Sequence, residues 1–511
     1  MPAISSFRPR RRAHCLLLVP LALACAQVFG ATIDARLTAA AARGDAVEAL
    51  IVLPDQSTPR LAPLEPAADY RLRRRALVAA LRSRASTQQA DLHTWLDSRG
   101  IKHRPYWITN LVWARVSQAE LAALAQRHDV ARVDANPHLP QRLPIAQAAA
   151  MPQGKAVAAI EYGVAKINAP AVWAMGYTGQ GVVIADADTG VRWDHAALKT
   201  HYRGWNGSSA VHAYNWHDAI HDDVGNACGN ATPAPCDDYG HGTHTVGTLV
   251  GDDGGSNQVG VAPGAQWIGC RNMADGEGTP ARYIECMQWT LAPTDANDAN
   301  PDPDRAADIA SNSWGCMPEE GCTVGDEIKA AVDNMVAGGI FFVAAAGNDG
   351  SSCQSILDAP STYDSAFVVG ATDASDAMAS FSSRGPVSGA NRVRPDVSAP
   401  GVNVRSTLAS GNSSYGSMSG TSMATPHVAG AAALLMSVNP ALKGHPDQVA
   451  ELLRNTAVMA GVTDPYNSGC GGLSMANRPN YQAGWGRIDV HAATLATLSD
   501  TIFRNGFDAG S

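Results

Sequence analysis

The chain has 511 residues, of which 45% are hydrophobic and 17% charged, a composition typical of packed globular proteins and not of disordered chains. Its length predicts two or more folded units. Residues 151–511 carry 18 basic and 36 acidic side chains, which excludes the basic surface that a nucleic-acid partner needs.

The first 30 residues have the pattern of an export signal. Four arginines lie between residues 8 and 12, and a short apolar stretch follows over 16–28. That stretch is too short to cross a bilayer, and small residues near position 31 suit a cleavage there. A lipoprotein anchored through Cys25 is the alternative, but the residues before Cys25 match a lipobox poorly. We therefore predict a signal peptide over 1–30, secretion to the periplasm or the medium, and no membrane partner.

Residues 31–148 have the pattern of a small α+β domain. Ser117 is the expected N-cap of the second of its two helices, with Glu120 at the third position. The βαββαβ-like order predicts an open sheet of the ferredoxin-like type. Prolines at 137, 140 and 144 then predict an extended linker. The predicted strands are 47–53, 107–116 and 130–133, and the predicted helices are 71–99 and 118–127.

The charge of this N-terminal segment is opposite to that of the rest. Residues 31–150 carry 16 basic and 11 acidic side chains, whereas the following residues are strongly acidic. Opposite net charges on adjacent segments indicate an electrostatically complementary pair. An unrelated accessory domain is the alternative.

Strands and helices alternate over residues 149–498, the pattern of an α/β domain with a mostly parallel sheet flanked by helices. A short C-terminal tail would cover 499–511. The predicted strands are 182–187, 309–313 and 340–346, and the predicted helices are 240–250 and 422–438.

Three short motifs lie at the ends of these elements. Asp188 begins D-T-G after a strand, His241 lies in G-H-G at a helix start, and Ser422 lies in G-T-S-M-A at another. Alone, each has an ordinary structural interpretation as a turn, a packed histidine or a helix cap. Together, in the order Asp, His, Ser with separations of 53 and 181, they have the order of the subtilisin triad.

The chain from about 162 to 493 resembles the subtilases on these three motifs. The stretches D-T-G-V-R-W-D-H from Asp188 and Y-R-G-W-N-G from Tyr202 resemble the bacillopeptidase F-like branch. Residues 31–148 resemble subtilase propeptides by pattern. The resemblance implies a secreted serine endopeptidase made as a zymogen. Its partners would be protein and peptide substrates and its own propeptide, which folds the enzyme, inhibits it and is then removed by self-cleavage between about 140 and 160.

The resemblance also assigns roles to residues. Ser422 would be the nucleophile, His241 the general base, and Asp188 the group that holds the imidazole. Asn348, in A-A-G-N-D-G, would donate to the oxyanion together with the Ser422 backbone N–H. A turn residue is the alternative interpretation of Asn348.

Two segments are expected to bind the substrate as an added β-strand. The first is Ser313-Trp314-Gly315, and the second is the opposite edge at Gly276 and Gly278. Because Trp314 is large for this wall, we predict a preference for modest or flexible substrate side chains.

Eight cysteines follow the predicted signal peptide, an even number that indicates disulfides in an exported protein. The short separations favour Cys228–Cys236 and Cys316–Cys322, and leave Cys270, Cys286, Cys353 and Cys470 unassigned. A zinc site is the alternative, but the sequence has no C-x-x-C pair.

No cofactor is expected to be required. Many subtilases bind calcium through an Asp nine residues after the catalytic Asp, where Ala197 stands here. The usual strong calcium site is therefore expected to be absent, although the acidic runs near 222–223 and 298–304 leave calcium open and the metal ligands unknown.

Other classes of protein fit the sequence less well. A non-catalytic binding protein on the same fold is disfavoured because every motif residue is present. An α/β-hydrolase esterase is disfavoured because the chain has no G-x-S-x-G, and a metalloprotease because it has no H-E-x-x-H. We expect a monomer.

Overall fold

The structure is a computed structural model that describes residues 30–44, 46–60, 69–141, 143–144, 159–317, 322, 327–390 and 392–507. Residues 1–29 of the predicted signal peptide, the predicted boundary at 148 and the last four residues of the predicted tail lie outside these ranges.

The N-terminal domain is a five-stranded sheet covered by helices. The sheet order is β1-β5-β2-β4-β3, and β2 to β5 have the predicted ferredoxin-like arrangement. The strands are β1 (Thr32–Ile33), β2 (Val47–Val52), β3 (His103–Tyr106), β4 (Leu111–Val116) and β5 (Arg132–Ala135). The helices are α1 (Ala35–Ala41), α2 (Tyr70–Gln88), α3 (Ala90–Asp97) and α4 (Gln118–Leu124). Helix α4 begins with the predicted capping box between Ser117 and Glu120.

The C-terminal domain is a sheet of seven parallel strands between helices, as predicted. The order is β17-β16-β15-β14-β8-β11-β9. The strands of the rest of the chain are β6 (Leu139–Pro140), β7 (Ala159–Ile160), β8 (Val183–Asp188), β9 (Trp216–Asp218), β10 (Asn257–Gln258), β11 (Gln266–Arg271), β12 (Met273–Ala274), β13 (Glu277–Gly278), β14 (Ile309–Asn312), β15 (Phe341–Ala345), β16 (Phe367–Thr372), β17 (Val397–Pro400), β18 (Val404–Thr407) and β19 (Tyr415–Met418).

Helices cover both faces of this sheet. The Ala- and Leu-rich helix α10 is buried over most of its length on one face, where it packs with α7 and α12. The helices are α5 (Tyr162–Lys166), α6 (Ala169–Ala174), α7 (His241–Val250), α8 (Pro280–Leu291), α9 (Glu327–Ala337), α10 (Thr421–Val438), α11 (Pro446–Thr456) and α12 (Val490–Phe507). Helix α12 continues past residue 498, so the first part of the predicted tail is helical.

The N-terminal domain packs on α8 and α9, and the two domains share one apolar cluster. Leu50, Leu77 and Ile108 of the N-terminal domain are buried against Met287 and Met335 of these helices. Burial of this kind favours association by about 25 cal/mol for each Å² of apolar surface. The interface is therefore part of the hydrophobic core of the full chain.

This interface explains where one strand prediction was wrong. The run 107–116 is mostly apolar, but residues 107–110 form a turn between β3 and β4. The backbone N–H groups of Trp107 and Ile108 donate to Gln288 Oε1 at 2.6 and 3.1 Å. Trp107 and Ile108 are apolar because the turn packs on α8. A contact between domains cannot be recognised from the local sequence pattern.

Ion pairs cross the same interface, as the opposite charges of the two segments predict. Lys102 of the N-terminal domain pairs with Asp222, and Arg132 Nη2 lies 3.0 Å from Glu327 Oε2. Exposed ion pairs contribute little to stability. The Glu327 side chain is 1% exposed, so its pair with Arg132 is largely buried. Together the two pairs fix the relative orientation of the domains more than they raise the affinity between them.

A buried carboxylate, Glu285, lies at this interface. Its Oε1 accepts from His217 Nε2 at 2.9 Å and His221 Nε2 at 2.7 Å, and its Oε2 accepts from the Tyr106 hydroxyl at 2.9 Å. Burial opposes ionisation of Glu285, but the nearby histidines and Arg104 outweigh burial and hold its pKa well below the usual range. For His217, burial is likewise outweighed by its carboxylate partners, which raise its pKa to about 10. The N-terminal domain thus donates a hydrogen bond to a buried charge of the other domain.

Candidate active site

Asp188 is the last residue of β8, where the chain turns at the carboxyl end of the sheet. Its Oδ1 accepts a hydrogen bond from the Thr189 N–H at 2.7 Å. Gly190 has φ +106°, and a Cβ there would lie 1.8 Å from the Cys236 carbonyl oxygen. Only glycine fits this turn, which fixes the carboxylate at the strand end.

His241 is the first residue of α7 and faces Asp188. Its Nδ1 lies 2.8 Å from Asp188 Oδ1 and 3.0 Å from Oδ2, and both side chains are buried. A Cβ on Gly242 would lie 2.2 Å from the Gly190 carbonyl oxygen, so a glycine lets the helix approach the strand end this closely. With Nδ1–H donating to the carboxylate, Nε2 keeps the lone pair that a general base needs.

Ser422 lies in the first turn of α10, which packs against α7. Its hydroxyl donates to the Ser313 carbonyl oxygen at 3.1 Å, and the Ser313 hydroxyl donates to the Ser422 carbonyl oxygen at 3.0 Å. His241 Nε2 is buried and has no hydrogen-bond partner among the described residues. In this structure the Ser422 hydrogen is therefore held by Ser313 and not by His241.

Asn348 follows β15 and points toward the start of α10. Its Oδ1 accepts from the Thr421 N–H at 2.9 Å and the Thr421 hydroxyl at 3.0 Å. A carboxamide whose oxygen is fixed in this way presents its Nδ2 hydrogens to another acceptor. The arrangement suits an oxyanion donor better than a simple turn residue.

The two predicted substrate edges flank a segment of the chain itself. Strand β6 pairs antiparallel with β13, with Leu139 opposite Gly278. The Gln141 N–H donates to the Gly276 carbonyl oxygen at 2.8 Å, and the Gln141 side chain accepts from the Gly315 N–H at 3.4 Å. The segment after the N-terminal domain thus lies between the predicted edges as an added strand.

Trp314 belongs to the wall of this cleft. Its indole is 3% exposed and stacks on Tyr283, with ring centroids 4.0 Å apart and planes 3° apart. A Cβ on Gly278 would lie 2.0 Å from the Tyr283 hydroxyl oxygen, so this edge also depends on glycine. The indole is thus held flat against the Tyr283 ring.

Asp186 is a site residue that the sequence analysis missed. It lies two residues before Asp188 in β8, is 2% exposed, and accepts from the Thr245 hydroxyl at 3.1 Å. Burial, and then the charge of Asp188, raise its pKa well above the usual range. The available signal was a second aspartate inside a strand predicted to be buried.

Two further histidines near the site are neutral. Burial, with a smaller effect from His241, lowers the pKa of His244 to about 3, and burial lowers that of His427 to about 4. Neutral His244 places no positive charge beside the Asp188–His241 pair.

The cysteines form four pairs in the structure. The two predicted pairs are present, and the sequence did not assign the other two. The pairs are Cys228–Cys236, Cys316–Cys322, Cys270–Cys286 and Cys353–Cys470.

The structure describes the surroundings of Ala197, which stands where many subtilases have a calcium-binding Asp. Ala197 is fully buried, and its carbonyl oxygen accepts from the Asp252 N–H at 3.1 Å. The neighbouring Asp253 accepts from the Asn257 side chain at 2.6 Å. Within the described ranges, no group of three or more His, Cys, Asp or Glu residues could hold a metal ion. The absence of the strong calcium site stays a prediction.

No helix in the described part of the chain is long and apolar enough to cross a membrane. Fold and site together define an α/β serine peptidase.

Comparison with known proteins agrees with this class. The model of the subtilase family matches residues 179–486. Bacillopeptidase F of Bacillus subtilis (strain 168) is 36% identical over 401 residues, which are 75% of this chain but 27% of that protein. Subtilisin E of the same strain is 35% identical over 312 residues, 61% of this chain and 69% of its own. Subtilisin DY of Bacillus licheniformis is also 35% identical, over 61% of this chain and 96% of its own. The chain belongs to the subtilase family, and the resemblance that the motifs predicted is confirmed.

Proposed function

We propose that the chain is the zymogen of a secreted endopeptidase in which Asp188, His241 and Ser422 form the catalytic triad. The observation that carries the proposal is the buried Asp188–His241 pair at one end of the parallel sheet, beside a cleft that already holds an added strand. Peptide hydrolysis at such a site needs an activated nucleophile, a proton carrier and oxyanion donors.

The first step is attack by Ser422 on the substrate carbonyl carbon. The hydroxyl turns from the Ser313 carbonyl to His241 Nε2, which accepts its proton as the C–O bond forms. Asp188 accepts from Nδ1–H, which keeps the neutral tautomer in place and then stabilises the imidazolium. The proton next passes from Nε2 to the leaving amine, and the acyl-enzyme forms. Water attacks the ester by the reverse sequence, with Nε2 again as base.

The oxyanion of each tetrahedral intermediate is placed against two donors. Asn348 Nδ2 is one, since Thr421 fixes the amide oxygen. The Ser422 N–H, in the first turn of the 18-residue helix α10, is the other. Loss of the side-chain donor would lower kcat by about 10²–10³-fold, the magnitude measured for the corresponding asparagine in subtilisin.

The N-terminal domain acts as the propeptide in this proposal. Its C-terminal segment pairs with β13 as a substrate would, and its sheet covers α8 and α9, so the domain blocks the cleft until the linker is cut. Self-cleavage would fall between about 140 and 160. The signal-like N-terminus and the four disulfides support export to an oxidising compartment. Protein substrates, a monomeric state and independence of cofactors belong to the same proposal.

Casein hydrolysis and intact mass test the proposal, with the wild type compared with Ser422→Ala. The wild type should digest casein and lose its N-terminal domain, while the variant stays full-length and inert. If both proteins are folded, disulfide-bonded and equally inert, the protease proposal fails and a non-catalytic binding role is the alternative to test. If Ser422→Ala loses the domain without added protease, cleavage is not self-processing.

A further inference from the structure

A cavity of about 350 Å³ opens beside Ser422 and Asn348 in the cleft. This volume lies within the range of small-ligand sites, and it is large enough for one extended side chain. Trp314 forms part of its wall, and Gly315 and Gly347 leave space beside it. By its place next to the nucleophile, the cavity accepts the P1 side chain, that of the residue whose carbonyl is attacked.

Two carboxylates, Asp349 and Asp358, belong to the lining of this cavity. A Cβ placed on Gly347 would lie 3.2 Å from Asp349 Oδ2 and 3.6 Å from Asp358 Oδ2. A Cβ on Gly315 would lie 2.7 Å from Asp358 Oδ2. The second carboxylate therefore reaches the edge that pairs with the substrate.

The backbones that carry these carboxylates are held in place. The Asp349 N–H donates to the Ser383 hydroxyl oxygen at 3.1 Å, and the Asp358 carbonyl oxygen accepts from the Ser361 hydroxyl at 2.6 Å. The Asp349 and Asp358 carboxylates thus lie on loops whose backbones are held in place. Preorganised anions beside an aromatic wall suit a long cationic side chain, above all the planar guanidinium of arginine.

The chain's own segment provides a second, independent observation. Gln141 is paired with both edges of the cleft, and Gln141 and Leu143 both belong to the lining of the cavity. The residue between them in the sequence is Arg142. In the sequence, a basic residue therefore stands between two residues that line the cavity.

We propose that Asp358, assisted by Asp349, makes the enzyme specific for Arg and Lys at P1. This inference rests on the proposed function, since it names the substrate class of the same site. It also places self-cleavage at the Arg142–Leu143 bond, which falls within the range expected from the sequence. Two carboxylates at the cavity attract a cationic P1 side chain and reject an acidic one, and they give an apolar one no charged partner.

The test uses the self-processed enzyme and tetrapeptide substrates that differ only at P1, with Arg, Lys, Leu or Glu. We expect kcat/KM for Arg and Lys to exceed that for Leu by about 10-fold or more, with Glu the poorest. Asp358→Asn keeps the shape and removes the charge, and it should lower kcat/KM for Arg and Lys by about 10- to 100-fold while leaving Leu unchanged. Asp447→Asn, the same change in the exposed first turn of α11, should alter none of these values.

The result that overturns the inference is equal or better cleavage after Leu, or an Asp358→Asn variant that lowers all four substrates alike. Benzamidine and its neutral analogue benzamide provide a second measurement that needs no variant. The cation should inhibit the wild type competitively and the neutral analogue should not, whereas equal inhibition counts against the inference. If the wild type cleaves neither casein nor any of the peptides, the proposed function itself fails, which distinguishes the two failures.

Discussion

Tyr106→Phe removes the one hydroxyl through which the N-terminal domain binds the buried Glu285 carboxylate. Tyr106 is fully buried, and its ring packs in the cluster shared by the two domains, so phenylalanine keeps the packing. Glu285 keeps both histidines on Oε1, but Oε2 is left with Arg104 at 3.5 Å. A hydrogen bond to a charged group contributes about 1.5–3 kcal/mol. The dissociation constant of the cleaved propeptide should therefore rise by about 10- to 150-fold.

The assay is a dilution series of the self-cleaved complex, in which peptide hydrolysis is recorded at once after dilution. Free enzyme appears as the concentration falls below the dissociation constant, so the half-inhibition concentration measures the affinity of the two domains. Tyr466→Phe is the matched control. It also removes a tyrosine hydroxyl, but Tyr466 is 57% exposed and lies outside the buried cluster that the two domains share. A half-inhibition concentration within twofold of the wild type for Tyr106→Phe would refute the reasoning.

Three further predictions concern charge, disulfides and pH. Asp188→Asn should lower kcat by about 10⁴-fold because an amide holds the wrong imidazole tautomer. Asp186→Asn changes a carboxyl that accepts from the Thr245 hydroxyl and does not hold the imidazole, so it should keep most activity; equal losses in peptide hydrolysis would contradict this. Replacing Cys353 and Cys470 with serine opens a loop of sequence separation 117. This should lower the free energy of unfolding of the inactive zymogen, measured by urea denaturation, by about 5 kcal/mol. EDTA should change that free energy less. The hydrogen bond to Glu48 raises the pKa of His138, so its contribution to the stability of the folded chain is complete below the ordinary pKa of about 6.5 and is lost as pH rises through the raised value. The free energy of unfolding of the inactive zymogen should accordingly fall as pH rises above about 6.5, and fall less in His138→Gln.

The sequence predicted the fold well where local pattern and tertiary role agree. The capping box at Ser117, the buried strand before Asp188 and the Ala-rich helix after Ser422 all lie where the pattern placed them. The run 107–116 was misread because its apolar residues contact another domain. The pattern of apolar residues predicts that a side chain is buried, but it does not identify the surface that covers it.

For the site, the sequence supplied the motif residues but not the cavity. Asp188 and His241 are recognisable because glycines in fixed positions surround them. Asp349 and Asp358 lie in no such motif. They follow β15 in loops, and only the fold of these loops brings one carboxylate oxygen of each near Gly347. The Ser422–Ser313 hydrogen bond was equally unpredictable, because a hydroxyl rotor depends on acceptors distant in sequence.

The apolar cluster shared by the N-terminal domain and helices α8 and α9 has a consequence for the lifetime of the product. If the N-terminal domain is removed as proposed, part of the hydrophobic core would leave with it, so the remaining enzyme would not be the state that the full chain reached on folding. Its durability would then be set by the height of the barrier to unfolding and not by a balance with the unfolded chain. A single cut in the linker would make folding a one-way event, because a molecule that unfolds afterwards would lack the surface that guided it.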